Sequence, residues 1–151
     1  MKNYKICSCF GHRNVEITKE LEEKLEKLYV DLIKSRGYNI FYFGGYGKFD
    51  ELCHKIISKL KSKYQNIKLY LIRPYYENLS QKYTDLLKIG YDDCIYLPLS
   101  NNFGKLKIIY RNYAIVDKSD IIIFYIRRME NSGAYRTLCY AKKNNKKLIY
   151  V

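Results

Sequence analysis

Hydrophobic positions along the chain follow two alternating periods. Short apolar runs at Tyr4–Phe10, Tyr38–Phe43, Ile67–Ile72, Asp93–Leu97, Asp120–Ile126 and Lys147–Val151 have the length and composition of strands. Between them apolar residues recur at spacings of three and four. Ile17, Leu21, Leu25, Leu28, Leu32 and Ile33 form one stripe, with Asn14 as its expected cap and Gly37 as its end. Leu52, Ile56, Ile57 and Leu60 mark a helix from Phe49 to about Tyr64, and Leu79 to about Ile89 predicts a short one. Leu106, Ile109, Tyr113 and Val116 mark the inward face of another, and Gly133 to about Asn144 the last. Asp120–Ile126 is the most continuously apolar run, as suits a strand covered on both faces. This alternation predicts an α/β fold in one domain, residues 1–151, with a mainly parallel sheet of about six strands and helices on both faces.

In such sheets ligands bind outside the carboxyl ends of the strands. The polar punctuation falls there: Gly11-His12-Arg13, Gly44 to Gly47, Arg73-Pro74, and the Arg127 to Gly133 loop each follow a strand. Phe41 to Asp50, F-Y-F-G-G-Y-G-K-F-D, has the strand, loop, helix order of an anion site, in which glycines let a ligand approach the backbone N–H groups and the helix adds unpaired donors. It fits neither the G-x-G-x-x-G fingerprint nor the P-loop, and a tight turn is its plain alternative.

The net charge of +13, from 28 Lys and Arg against 15 Asp and Glu, admits nucleic acid as a partner. The lysines are nevertheless spread over most helices. Their dense group, Lys142, Lys143, Lys146 and Lys147, falls at a helix end, where cations complement the dipole. No run approaches the roughly 18 to 20 apolar residues of a membrane span, and the N-terminal residues lack a signal-peptide pattern, so a soluble cytoplasmic protein is expected. Five cysteines, Cys7, Cys9, Cys53, Cys94 and Cys139, suit reduced thiols. Cys7 and Cys9 share a strand face without a second pair at ligand spacing, so no metal or cofactor is expected.

Five segments in order resemble the YpsA-like branch of the SLOG superfamily. Cys9-Phe10-Gly11-His12-Arg13 is similar to its F-T-G-H-R, and Phe43-Gly44-Gly45-Tyr46-Gly47-Lys48-Phe49-Asp50 to its S-G-G-A-x-G-F-D. Arg73-Pro74 stands at its strand-end proline. Arg111-Asn112 with Val116-Asp117-Lys118-Ser119-Asp120 resembles R-N-x-x-M-V-D-x-S-D, and Ser132-Gly133-Ala134 with Tyr140-Ala141-Lys142-Lys143 resembles S-G-G-T and Y-A-K-K. The resemblance implies a Rossmann-like domain that binds nucleotide-derived ligands, such as an ADP-ribose-type or cyclic nucleotide signal, as a sensor or sequestering protein, and that forms a homodimer or higher homo-oligomer. Carried over by position, Gly44, Gly45, Tyr46, Gly47, Ser132, Gly133 and Ala134 would hold phosphate. Gly11, His12 and Arg13 would border base or ribose, and Asp50, Arg73, Pro74, Arg111 and Asn112 would complete the site.

The departures bear on catalysis. The related phosphoribohydrolases carry P-G-G-x-G-T-x-x-E, whose glutamate stabilises positive charge on the opening ribose. Here Arg136 and Thr137 stand where that carboxylate is expected, and a cation there would oppose N-glycosidic cleavage. Glu51, Glu130 and His12 are the remaining catalytic candidates for a hydrolase. Asp50 and Glu51 also suit the positive end of a helix as surface residues. Single-stranded nucleic-acid binding, by analogy with DNA-processing protein A, is a further alternative.

Overall fold

The computed structural model describes residues 3–45, 47–73, 90–96, 106–127 and 132–151. Six strands, β1 (Ile6–Gly11), β2 (Ile40–Phe43), β3 (Lys68–Arg73), β4 (Asp93–Tyr96), β5 (Ile121–Tyr125) and β6 (Lys147–Tyr150), form one sheet in the order β4-β3-β2-β1-β5-β6. Every pairing is parallel. The described helices are α1 (Lys19–Lys34), α2 (Lys48–Lys61), α3 (Lys107–Lys118) and α4 (Gly133–Lys143).

Alternation along β1 feeds two cores. Cys7 and Cys9 point to the side where α1 and α2 lay down Leu25, Tyr29, Leu52 and Ile57, and Ile6 and Phe10 to the side covered by Ile115, Val116, Leu138 and Ala141 of α3 and α4. Helices therefore cover both faces, as the alternating pattern predicts. Polar residues of the Arg111 to Asp120 motif tie these layers. Asp120 Oδ2 accepts from the Ile6 amide at 2.8 Å, Ser119 Oγ meets buried Ser8 Oγ at 2.8 Å, and the Tyr140 hydroxyl donates to Asp117 at 2.7 Å.

Element boundaries depart from the pattern in instructive places. Thr18, not Asn14, caps α1, its side chain accepting from the Leu21 amide at 3.1 Å. Ile17 consequently precedes the helix and is exposed. Tyr29, absent from the expected stripe, is buried against Phe41. In α3 the inward face is rotated: Leu106 is 49% exposed and Ile109 and Tyr113 are half-buried, whereas Arg111, Asn112, Ile115 and Val116 are buried. The polar pair turns inward because it closes the rim of a cavity. The expected helix at Leu79–Ile89, Pro98 and the Leu99–Gly104 loop lie outside the described residues. Among the described residues no helix is long and apolar enough to cross a membrane.

Candidate functional site

The chain runs outward from β1 through β2, β3 and β4 on one side, then returns to place β5 on the other. A cavity of about 350 Å³ opens beyond the carboxyl ends of the strands there, bordered by the end of β1, Gly44, the first turns of α2 and α4, and α3. This is the reversal point where ligand crevices form in open parallel sheets, and the volume lies within the roughly 300–1,000 Å³ of small-molecule sites. Gly11, His12, Arg13, Gly44, Asp50, Arg111, Asn112, Ser132, Gly133 and Ala134 line it, together with Cys9, Phe10, Asn14 and Ile108. Gly45, Gly47, Arg73 and Glu51 are not among the lining residues. Tyr46, Pro74 and Glu130 lie outside the described residues.

The glycines of the β2–α2 loop serve the fold first. Gly45 and Gly47 have φ of +78° and +90°, a left-handed backbone that disfavours a side chain. A β-carbon on Gly47 would lie 2.8 Å from Arg13 Cα, and the Lys48 amide donates to the Arg13 carbonyl at 2.9 Å. A β-carbon on Gly11 would lie 2.5 Å from Phe49 Cγ, so the β1 end and the start of α2 interlock.

Asp50 is not a surface partner of the helix dipole: it is 8% exposed and faces back under the loop. Its Oδ2 accepts from the Gly45 amide at 3.1 Å, which occupies a donor that the sequence pattern offers to a ligand phosphate. Burial pushes its carboxyl up to about 7, against the opposing pull of the Gly45 amide, the Arg111 charge and the Gly44 amide; neighbouring Glu51 adds to the rise. Glu51 itself is exposed.

Across the cavity, Arg111 is 2% exposed yet charged. Its Nη1 donates to the Gly44 carbonyl at 2.8 Å, and Nε and Nη2 donate to Asn112 Oδ1 at 3.3 and 3.2 Å. Asn112 Nδ2 donates to Thr137 Oγ1 at 3.3 Å, and that hydroxyl donates to the Gly133 carbonyl at 2.7 Å. One chain of hydrogen bonds thus runs from the glycine loop to the start of α4. Ser132 caps α4 by accepting from the Tyr135 amide at 3.1 Å, while the Gly133 and Ala134 amides have no acceptor among the described residues. Among the described residues a β-carbon at Gly133 would meet only Ile109, at 3.9 Å.

Arg136, expected to bring a cation to the site, is exposed and does not line the cavity; Thr137 is fully buried behind the lining, against Asn112. His12 is buried, and its Nε2 accepts from the Arg127 amide at 2.9 Å, which sets its tautomer with the proton on Nδ1. The Arg127 guanidinium lies 4.0 Å over the Tyr125 ring and donates to the Val151 carbonyl. Hydrogen bonding with Cys53 and burial hold the Cys9 thiol well above its usual range, so it is not a ready nucleophile. Among the described residues no group of three His, Cys, Asp or Glu side chains is placed to hold a metal ion. Sequence reasoning passed over Cys9, Phe10, Ile108 and Asn14 as lining residues: Cys9 and Phe10 read as part of a strand, Asn14 as a helix cap, and Ile108 fell outside the expected inward face.

No family model and no curated protein sequence matches the chain. Its fold is shared with solved structures. DNA processing protein A from Streptococcus pneumoniae matches with a TM-score of 0.64 at 16% identity over 97% of this chain. The TM1055 protein matches with a TM-score of 0.59 at 15% identity over 95%. The molybdenum cofactor carrier protein from Chlamydomonas reinhardtii matches with a TM-score of 0.58 at 13% identity over 97%. The chain spans only 50% of the DNA processing protein A chain, and 72% and 76% of the other two. At these identities the likeness is one of fold, Rossmann-like in each case.

Proposed function

We propose that this chain is a SLOG-like domain whose cavity binds a small phosphorylated, nucleotide-derived ligand and senses or sequesters it. The observation that carries this reading is that Gly133 and Ala134, in the first turn of α4, line the same cavity as a buried Arg111 held by the Gly44 carbonyl and Asn112. Backbone donors at a helix start and a fixed cation together suit a phosphate. The neighbours named as a cofactor carrier and a DNA-processing protein support a binding role of this kind. Against hydrolysis of an N-glycosidic bond stands Thr137, which braces Asn112 from behind the cavity lining at the position expected to carry a glutamate. A homodimer or higher homo-oligomer is the assembly we expect.

Native mass spectrometry and calorimetry with AMP, NAD, ADP-ribose and cyclic ADP-ribose isomers test the reading. The expected result is retention of an intact ligand at fixed stoichiometry, with the subunit count read from the same spectra. Gly133→Asp places a like charge beside the phosphate and is expected to weaken binding at least about tenfold, while an acidic residue in a first helical turn leaves the fold intact. Unchanged binding by this variant would overturn the site. Release of free base would establish the hydrolase instead, and salt-sensitive binding of a short single-stranded DNA with no nucleotide retained would establish a nucleic-acid binder.

A further inference from the structure

We propose that Asp50 sets the polarity of the cavity: the Gly44–Gly45 loop receives an uncharged, hydrogen-bond-donating face of the ligand, a vicinal diol such as that of a ribose, while the phosphate is held apart from it at the α4 end. The inference rests on the nucleotide reading above and names which end of the ligand goes where. A glycine loop before a helix is ordinarily an anion cradle because its amides are unoccupied. Here the chain supplies its own anion. Asp50 takes the Gly45 amide at 3.1 Å, and Arg111 takes the Gly44 carbonyl at 2.8 Å. A phosphate at this loop would face a carboxylate across a poorly solvated gap, where like charges repel strongly. A carboxylate has about four lone-pair sites, and the Gly45 and Gly44 amides draw on two at most, so acceptor capacity remains on a group that lines the cavity. Hydroxyl donors on the ligand match that capacity.

Protonation should report the same polarity. The charged and titratable groups that face Asp50 come from several elements: Arg111 on α3, Glu51 on α2, Cys9 on β1 and Tyr91 ahead of β4. His12 and Arg13 line the same cavity. Cys9 and Tyr91 are both pushed upward, Cys9 through Cys53 and burial and Tyr91 chiefly by burial, and so stay protonated. Asp50, pushed up to about 7, changes charge near neutrality. Hydroxyls donating to it favour its ionised form, so the contribution of the diol grows as pH rises through that value.

The test compares AMP with 2′,3′-dideoxyadenosine 5′-monophosphate by calorimetry on the wild-type chain at about pH 6 and about pH 8. Both probes carry the same phosphate and base, so ionisation of the phosphate cancels in the ratio of their affinities, and the Asp50→Asn variant separates the part of Asp50 from that of His12. AMP is expected to bind about tenfold or more tightly than the dideoxy probe at the higher pH, with that preference at least about threefold smaller at the lower. Asp50→Asn keeps an acceptor for Gly45 and is expected to lower the preference and remove its pH dependence. Equal affinities for the two probes at the higher pH, or a preference that grows as pH falls, would overturn the inference and leave nucleotide binding standing. Failure of both probes to bind at either pH, with NAD, ADP-ribose and cyclic ADP-ribose isomers not retained either, would overturn both.

Discussion

Burying Asp50 costs the folded chain stability at neutral pH. Its carboxyl is pushed from 3.8 to about 7 by burial. Below about pH 4 it is protonated whether the chain is folded or not, and there is no penalty. Between about pH 4 and pH 7 the unfolded chain gives up the proton first, so stability falls as pH rises, and above the folded value the whole penalty is present. At about 1.36 kcal/mol per unit the penalty reaches at most about 4 kcal/mol. Asp50→Asn is therefore expected to exceed the wild type by about 2–4 kcal/mol near pH 8 and to lose that advantage near pH 4, as measured by urea unfolding. A constant difference across this range would contradict the buried, titrating carboxyl. In the sequence Asp50 reads as a dipole partner in a first helical turn, because nothing local shows that the preceding loop folds over it.

Helix ends and helix phases follow the same logic at the scale of elements. Both Asn14 and Thr18 have capping side chains, and either one leaves the apolar stripe from Leu21 to Ile33 intact. Contact with the cavity decides between them: Asn14 lines it, and Thr18 is left to accept from the Leu21 amide. Thr18→Ala is expected to cost about 1 kcal/mol in urea unfolding, and Asn14→Ala less than about 0.5 kcal/mol. The reverse order would restore Asn14 as the cap. In α3 the stripe drawn through Leu106, Ile109, Tyr113 and Val116 follows the hydrophobic residues; Val116 is buried as expected, but the structure also turns Arg111 and Asn112 inward, where Gly44 and Thr137 satisfy them. Buried polar residues with partners on distant elements leave no periodic signature.

For the whole molecule, burial is graded outward from the centre of the sheet. Residues of β1 and β5 are almost all buried between two helical layers, whereas β4 and β6 are partly open edges. Hydrogen exchange is expected to be slowest in Ile6–Phe10 and Ile121–Phe124 and fastest among strands in Asp93–Tyr96 and Lys147–Tyr150; comparable protection at an edge would indicate that another surface covers it. The positive charge also divides by role. Lys146 donates to the Asp117 and Ser119 carbonyls at 3.0 and 3.1 Å, closing the end of α3, while Lys142, Lys143 and Lys147 are exposed.

Strand and helix order, the parallel sheet covered on two faces and the rim that gathers the strand-end loops were legible in the sequence, because repeating periods of two and 3.6 and the spacing of elements are local properties of the chain. So were most residues that reach the cavity, since they sit just after a strand or at a helix start, whereas Arg111 and Asn112, inside α3, were expected only from the family resemblance. Tertiary structure alone decided what those residues do to one another: which face of α3 turns inward, that Arg136 points away while Thr137 points in, and that Asp50 fills part of the glycine loop. These outcomes depend on contacts between elements that adjoin only after folding, and an Asp seven residues after a strand has the same pattern whether its carboxylate meets water or Gly45.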